Sequence, residues 1–222
     1  MRADLPSGTP VELALPEAPA ARGLVMYPDI HGLRPLFDKL AAHLAETHAW
    51  ATAVVELFPG ATLPTVDDRF AAVPRLDDGR VVGDAVAAAD LLRERAGVDR
   101  VAVLGFCLGG MYAYKAASSK QFDRAVSFYG MIRIPTAWRG AGQREPLTLL
   151  AEPGTCPVLS IIGAQDPYTP PADVAELKKF GSLVTPVVFP DAEHGFVHDP
   201  DRPAHRPADA EAAWRAVDEF LA

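Results

Sequence analysis

The sequence predicts an α/β fold built on a mostly parallel central sheet flanked by helices on both faces. Two observations carry that expectation. Short, β-branched apolar runs of strand length alternate along the chain with longer stretches whose apolar residues recur at helical spacing. Near the middle, VAVLGFCLGGMYAYKAA (101–117) passes from one such run through a glycine-rich turn into a stretch free of helix breakers. Repeated strand, helix, strand units imply right-handed crossovers and parallel pairing. The 222 residues can bury a large core and are few enough for one domain over 1–222.

In chain order, Val11 to Leu15 alternates as an edge strand does, and Gly23 to Tyr27 reads as an inner strand. PDIHG (28–32) follows as a loop. Pro35 then occupies a first helical position, with Phe37, Leu40, Ala41 and Leu44 on one face. Trp50 to Leu57 is the next strand, and FPGATLP after it carries the signals of a loop. Val82, Ala85, Val86, Ala89, Leu92 and Ala96 make a helical stripe. Arg100 to Gly105 is a strand buried on both faces, Met111 to Ala117 a helix, and Asp123 to Tyr129 another strand. Residues 131–153, with Pro135, Pro146 and Pro153, are irregular, and form either a solvated excursion or a loop lining a substrate pocket. Pro157 to Gly163 resumes the sheet. A short helix carrying Val174 and Leu177, a last strand from Val184 to Phe189, and a helix with the stripe Ala210, Ala213, Trp214, Val217 and Leu221 complete the chain.

Composition excludes several classes. A net charge of −8 with scattered Lys and Arg leaves no electrostatic footprint for nucleic acid or an anionic membrane. The longest apolar run is broken by glycines and too short to span a bilayer. The opening MRADLPSGTPVELALP lacks the continuous apolar core of a signal peptide. Two cysteines, Cys107 and Cys156, with no CxxC, argue against a disulfide scaffold or zinc site and for a reducing, cytoplasmic setting.

The turn GFCLGG (105–110) has the GxSxG form of the α/β-hydrolase nucleophile elbow, with sulfur in place of oxygen. Gly105 and Gly109 let strand and helix close on each other, and Cys107 sits on the bend at a helix N-terminus, where partial positive charge and a nearby histidine favour the thiolate. The Leu108 N–H is free to face a developing oxyanion. A small buried core residue is the competing reading of Cys107. In this fold an acid and a histidine follow the nucleophile, each on a loop after a strand. Asp166 in GAQDPYTP and His194 in DAEHGF stand at such positions, which makes Cys107 the nucleophile, His194 the base and Asp166 its orienter. His31 precedes the elbow, and His198 and His205 lie farther from the strand end. Reading His194, His198 and His205 as a metal cluster fails because Gly195, Pro200 and Pro203 deny helical spacing.

Together GFCLGG, GAQDPYTP, DAEHGF and PDIHG resemble the dienelactone hydrolase family from about residue 20 to the C-terminus. The resemblance implies a Cys, His, Asp hydrolase of lactones or small esters working without metal or cofactor through an acyl-enzyme on Cys107, with Ile30 supplying the second oxyanion N–H. It also implies a carboxylate that holds the resting thiol and helps generate the thiolate. The family's glutamate is here Asp29, one methylene shorter. Where the best-known members carry a substrate-binding arginine four residues after the histidine, this chain has His198. The family's other arginine and its tyrosine fall on Val66 and Phe70, with Arg69 adjacent. The expected pocket residues are therefore Phe58, Arg69, Phe70, Trp138, Phe196 and His198, suited to a neutral or less acidic small-molecule lactone or ester. A monomer or small homo-oligomer is expected. The competing classes are a catalytically silent binding protein on the same fold and a thiol-based redox protein, the second requiring Cys156 to pair with Cys107.

Overall fold

The computed structural model describes residues 1–222. Its strands are β1 (Arg2–Asp4), β2 (Pro10–Ala14), β3 (Arg22–Tyr27), β4 (Trp50–Val55), β5 (Val101–Phe106), β6 (Arg124–Phe128), β7 (Val158–Gly163) and β8 (Val184–Phe189). They form one sheet in the order β1-β2-β4-β3-β5-β6-β7-β8. The pairs β4/β3, β3/β5, β5/β6, β6/β7 and β7/β8 are all parallel, while β1/β2 and β2/β4 are antiparallel. Every residue of β3, β4, β5 and β7 is buried, the polar Arg22, Thr52 and Ser160 included; the rest of these strands is apolar or glycine, as burial on both faces requires.

The helices are α1 (Pro35–His48), α2 (Val66–Ala72), α3 (Asp78–Ala96), α4 (Leu108–Ala116), α5 (Pro146–Leu150), α6 (Pro171–Lys178) and α7 (Pro207–Leu221). Successive strand residues point to opposite faces, and the last two of β5 show what covers each. Gly105 meets the backbone of α4, whereas Phe106 packs its ring near Phe37 of α1 and Trp214 of α7. Tyr27 joins the α4 face, with its hydroxyl donating to the Val81 carbonyl of α3 and its ring beside Tyr112. The sheet thus carries α3 and α4 on one face and α1 and α7 on the other.

Four elements differ from the sequence reading. The expected edge strand is second from the edge, because Arg2–Asp4, too short and polar to register as a strand, pairs along it. The strand beginning at Trp50 stops at Val55, where Glu56 turns its carboxylate back to accept from the Leu33 and Phe58 N–H groups. Residues 66–72, unassigned in the sequence, form α2 behind a capping box between Thr65 and Asp68. Within the irregular 131–153 segment, Thr136–Trp138 is a 3-10 turn and Pro146–Leu150 is α5. That segment is no solvated excursion: Met131, Ile132 and Ile134 are buried, and Arg144 and Gln143 bond to Asp78 and Val73.

Candidate active site

All parallel strands run the same way, so the loops that follow them gather along one edge of the sheet. Cys107 directly follows β5 at φ 56° and ψ −118°, a conformation that L residues rarely adopt and that costs on the order of 1–3 kcal/mol. The bend is over-determined. The Cys107 N–H donates to the Phe128 carbonyl at 3.0 Å, its carbonyl accepts from Met111 at 3.0 Å, and the glycines bring β5, α4 and the end of β3 to backbone contact. Leu108 opens α4, so its N–H has no intrahelical partner. The Ile30 N–H, in the loop after β3, donates to no backbone or side-chain acceptor within the chain.

Asp166 and His194 are brought together across two loops that are bonded to each other. Ala164 and Gln165 N–H groups donate to the Phe189 and Ala192 carbonyls at 2.9 and 3.0 Å, and the Gln165 side chain donates to Pro190 at 2.9 Å. His194 Nδ1 lies 2.8 Å from Asp166 Oδ2, whose other oxygen accepts from the Tyr168 N–H, also at 2.8 Å. Asp166 is buried. Since the aspartate fixes Nδ1 as the protonated nitrogen, Nε2 is left as the working atom, and it is buried without a hydrogen-bond partner. Burial alone would lower the pKa of His194, but the charge of Cys107 and the hydrogen bond and charge of Asp166 raise it to about 10. His194 therefore contributes stability that is complete below about pH 6.5 and lost as the pH rises through about 10. Thermal unfolding should show Tm declining across that span for the unmodified protein, with a flatter profile for His194→Gln.

The cleft over these groups has a volume of about 140 Å³ and is lined by Asp29, Ile30, His31, Val66, Phe70, Cys107, Trp138, Tyr168, His194 and Arg202. One wall is a run of rings: Phe70 stacks on Trp138 at 5.6 Å, Trp138 on Tyr168 at 6.2 Å, and Tyr168 meets His194 edge-on at 4.9 Å. Phe70 and Trp138 are where the sequence places them. The other expected pocket residues are not on the lining. Phe196 is fully buried against Tyr129 and Phe189, and Phe58 is buried beneath the Arg69 guanidinium. Arg69 turns to donate to the Ile30 carbonyl at 3.3 Å.

His198 is also withdrawn from the cleft. Its Nε2 lies 2.9 Å from Asp29 Oδ2, and its Nδ1 pairs with the Tyr129 hydroxyl. Asp29 in turn holds Arg34 through both oxygens at 2.5 and 2.9 Å and accepts from the His31 N–H at 3.0 Å. Burial raises the pKa of Asp29, but the hydrogen bonds from His198 and Arg34 and their charges outweigh it and hold the carboxyl well below its usual range. Both oxygens are thus engaged by Arg34, His198 and the His31 N–H, and direct contact with the thiol is not the role this geometry displays. The short aspartate and the inward histidine replace that contact by a buried chain from Tyr129 to Arg34. Sequence reasoning missed Tyr129, whose one visible signal was its place at the end of the sixth strand. It also missed Tyr168 and Arg202 as lining residues.

The second cysteine stands apart. Cys156 precedes β7 at the opposite edge of the sheet, its N–H bonded to Ala117 beyond the far end of α4, so roughly 20 Å of strand separates it from Cys107. Burial pushes its thiol up to about 12, and both cysteines are free. Cys156→Ala should leave kcat/KM within about a factor of two, as expected for a distant, uncoupled site.

A parallel sheet of this order, with its strained elbow after β5 and the following loops converging on it, is the α/β-hydrolase fold. The model of the dienelactone hydrolase family matches residues 10–222, and the chain belongs to that family. It is a carboxylic ester hydrolase by descent. Among its relatives, a Bradyrhizobium protein named "Probable 2-oxo-3-(5-oxofuran-2-ylidene)propanoate lactonase" is 29% identical over 202 residues, covering 86% of this chain and 79% of that one. Carboxymethylenebutenolidase 2 of Cupriavidus pinatubonensis is 32% identical over 139 residues, 60% of this chain and 54% of its own length. A crystal structure from Klebsiella pneumoniae, provisionally named a dienelactone hydrolase, superposes with a TM-score of 0.84 at 21% identity, covering 99% and 96% of the two chains. No helix is long and apolar enough to cross a membrane.

Proposed function

We propose that this chain opens a lactone or cleaves a small carboxylic ester through an acyl-enzyme on Cys107. The observation that carries the reading is His194, held by buried Asp166 on one side with its free Nε2 coupled to Cys107 on the other. The Cys107 thiolate attacks the carbonyl carbon, and the tetrahedral oxyanion is held by the Leu108 and Ile30 N–H groups. As the carbon–oxygen bond breaks, His194 gives its Nε2 proton to the departing alkoxide, which in a lactone remains tethered to the acyl group. Water then gives its proton to Nε2 and attacks the thioester, and Cys107 leaves as thiolate. Asp166 keeps the imidazole in the required tautomer. The name of the Bradyrhizobium relative, "Probable 2-oxo-3-(5-oxofuran-2-ylidene)propanoate lactonase", favours the same substrate class.

The test is rapid-quench mass spectrometry with a p-nitrophenyl ester. An acyl mass gain on Cys107, absent from Cys107→Ala, is the expected result. Undiminished hydrolysis by that variant, with no adduct on the unmodified enzyme, would overturn the mechanism.

A further inference from the structure

The Ile30 N–H belongs to the planar peptide unit shared with Asp29, so its direction is set by whatever holds the Asp29 carbonyl and the chain just beyond it. That carbonyl accepts from the Gly32 N–H at 3.0 Å, and the Asp29 side chain accepts from the His31 N–H, also at 3.0 Å. A carboxylate bonded to the backbone two residues onward makes a tight turn, which it would lose if it were free to rotate. This one is not free. Arg34 holds both of its oxygens, and His198 Nε2 lies 2.9 Å from Oδ2. Arg34 stands only five residues farther along the same loop, whereas His198 comes from the loop after β8, which also carries His194. Arg34 reaches that second loop at Asp199, but across 3.8 Å and with both side chains partly exposed, so that contact contributes little.

His198 is itself locked. Its side chain is fully buried, stacks on Phe37 at 5.5 Å, lies 4.8 Å from the ring of Phe106, and pairs through Nδ1 with the Tyr129 hydroxyl. An ionised Asp29 can only accept, so Nε2 carries the proton and Nδ1 accepts from Tyr129. Burial lowers the pKa of His198 against the pull of Asp29, which favours this neutral form. Tyr129, at φ 40° directly after β6, meets the His194 imidazole edge-on at 5.2 Å. One buried imidazole therefore touches both halves of the site. Through Tyr129 it backs the base, and through Asp29 it holds the turn that presents Ile30.

We infer that His198 is a positioning residue: it fixes the Asp29 carboxylate, and through it the Ile30 N–H, against the loop that carries His194, so that oxyanion donor and base keep one spacing. This rests on the hydrolase reading and deepens it. The expected pocket residue thus acts from behind the cleft, without touching its occupant.

The experiment makes three measurements on the full-length protein: hydrolysis of a p-nitrophenyl ester, alkylation of Cys107 by iodoacetamide, and backbone hydrogen exchange of segments 28–33 and 105–110. Alkylation uses the nucleophile but no oxyanion donor, so it separates the two halves of the site. His198→Phe keeps a stacked ring and loses both hydrogen bonds. It should lower kcat and kcat/KM together by roughly 10- to 100-fold, the cost of a displaced oxyanion donor, with KM within about 3-fold. Alkylation should stay within about 3-fold, and exchange should accelerate in 28–33 but not in 105–110. His198→Gln, whose amide nitrogen can replace Nε2 on Asp29, should recover most of kcat. If His198→Phe does not accumulate, Tyr129→Phe decides the matter: with Nδ1 unpaired, it should show the same pattern at about 3- to 10-fold. Equal losses in hydrolysis and alkylation, an unchanged kcat, or unchanged exchange in 28–33 would overturn the assignment. If the unmodified protein showed no Cys107-dependent hydrolysis, the hydrolase reading would fall instead. His198 would then stand as the anchor of the 28–32 turn only if its loss still accelerated exchange there and not in 105–110.

Discussion

Cys107→Ala is expected to lower kcat/KM for an activated ester by roughly 10⁴-fold or more, leaving only what the oxyanion donors and the cleft achieve with water as nucleophile. The size of the effect follows from the placement of the sulfur. The strained elbow carries Cys107 beyond the end of β5, and Cys107 is the one thiol on the cleft lining. Tyr168, the one hydroxyl on the lining, presents its ring edge-on to the imidazole as part of the aromatic wall. Cys107→Ser should restore only a fraction, because a serine hydroxyl ionises far less readily than a thiol and must give up its proton in the attacking step. Steady-state rates at matched folded concentration decide the matter. An alanine variant retaining a tenth of the activity would remove Cys107 from the chemistry.

Gly109→Ala should be among the most destabilising single substitutions in the chain. Its Cβ would stand 2.3 Å from the Pro28 carbonyl oxygen, 2.5 Å from that of Tyr27 and 2.7 Å from the Tyr27 Cβ. None of these is the free end of a flexible side chain. Relief requires α4 to back away from the end of β3, which drags the loop holding Asp29 and Ile30, at an expected cost above about 4 kcal/mol. In a chain of this size that corresponds to a fall in Tm of roughly 10 °C or more, or to failure to accumulate soluble protein. Gly83→Ala is the internal control: it sits inside α3 with nothing within 4 Å of the added carbon, and should be neutral or slightly stabilising. Similar Tm values for the two variants would contradict the close approach.

What could be read from the residues follows from where regular structure does the positioning. Cys107, Asp166 and His194 each follow a strand whose apolar run is unmistakable, so their convergence is a matter of topology. The glycines of the elbow were equally legible, because only a missing side chain permits that contact. The cleft walls were not. Phe58 and Phe196 look like pocket aromatics in sequence, but large rings near a sheet edge are as easily absorbed into the core. Arg202 lies in a loop bounded by Pro190 and Pro207 with no regular element inside it. Its direction depends on the turn at Gly195, which no short-range pattern specifies. His198 was misplaced for a related reason. Position in a motif says where a side chain starts, while the partner waiting for it, Tyr129, is 69 residues away.

The wall of the cleft is made by pieces hung outside the sheet: Phe70 from α2, Trp138 from the 3-10 turn of the 131–153 segment, and Tyr168 from the loop after β7. The first two segments also lean on each other, through Gln143 and Val73. On the proposed mechanism, chemistry and selectivity are thereby divided between different parts of the chain. Substitutions in 66–72 or 136–138 can reshape what is admitted while the strand ends keep the sulfur, imidazole and carboxylate in register. Such a partition makes the scaffold evolvable: a lineage can exchange one acyl group for another by rewriting two short surface segments, and a directed-evolution library confined to them would sample new substrates at little risk to folding.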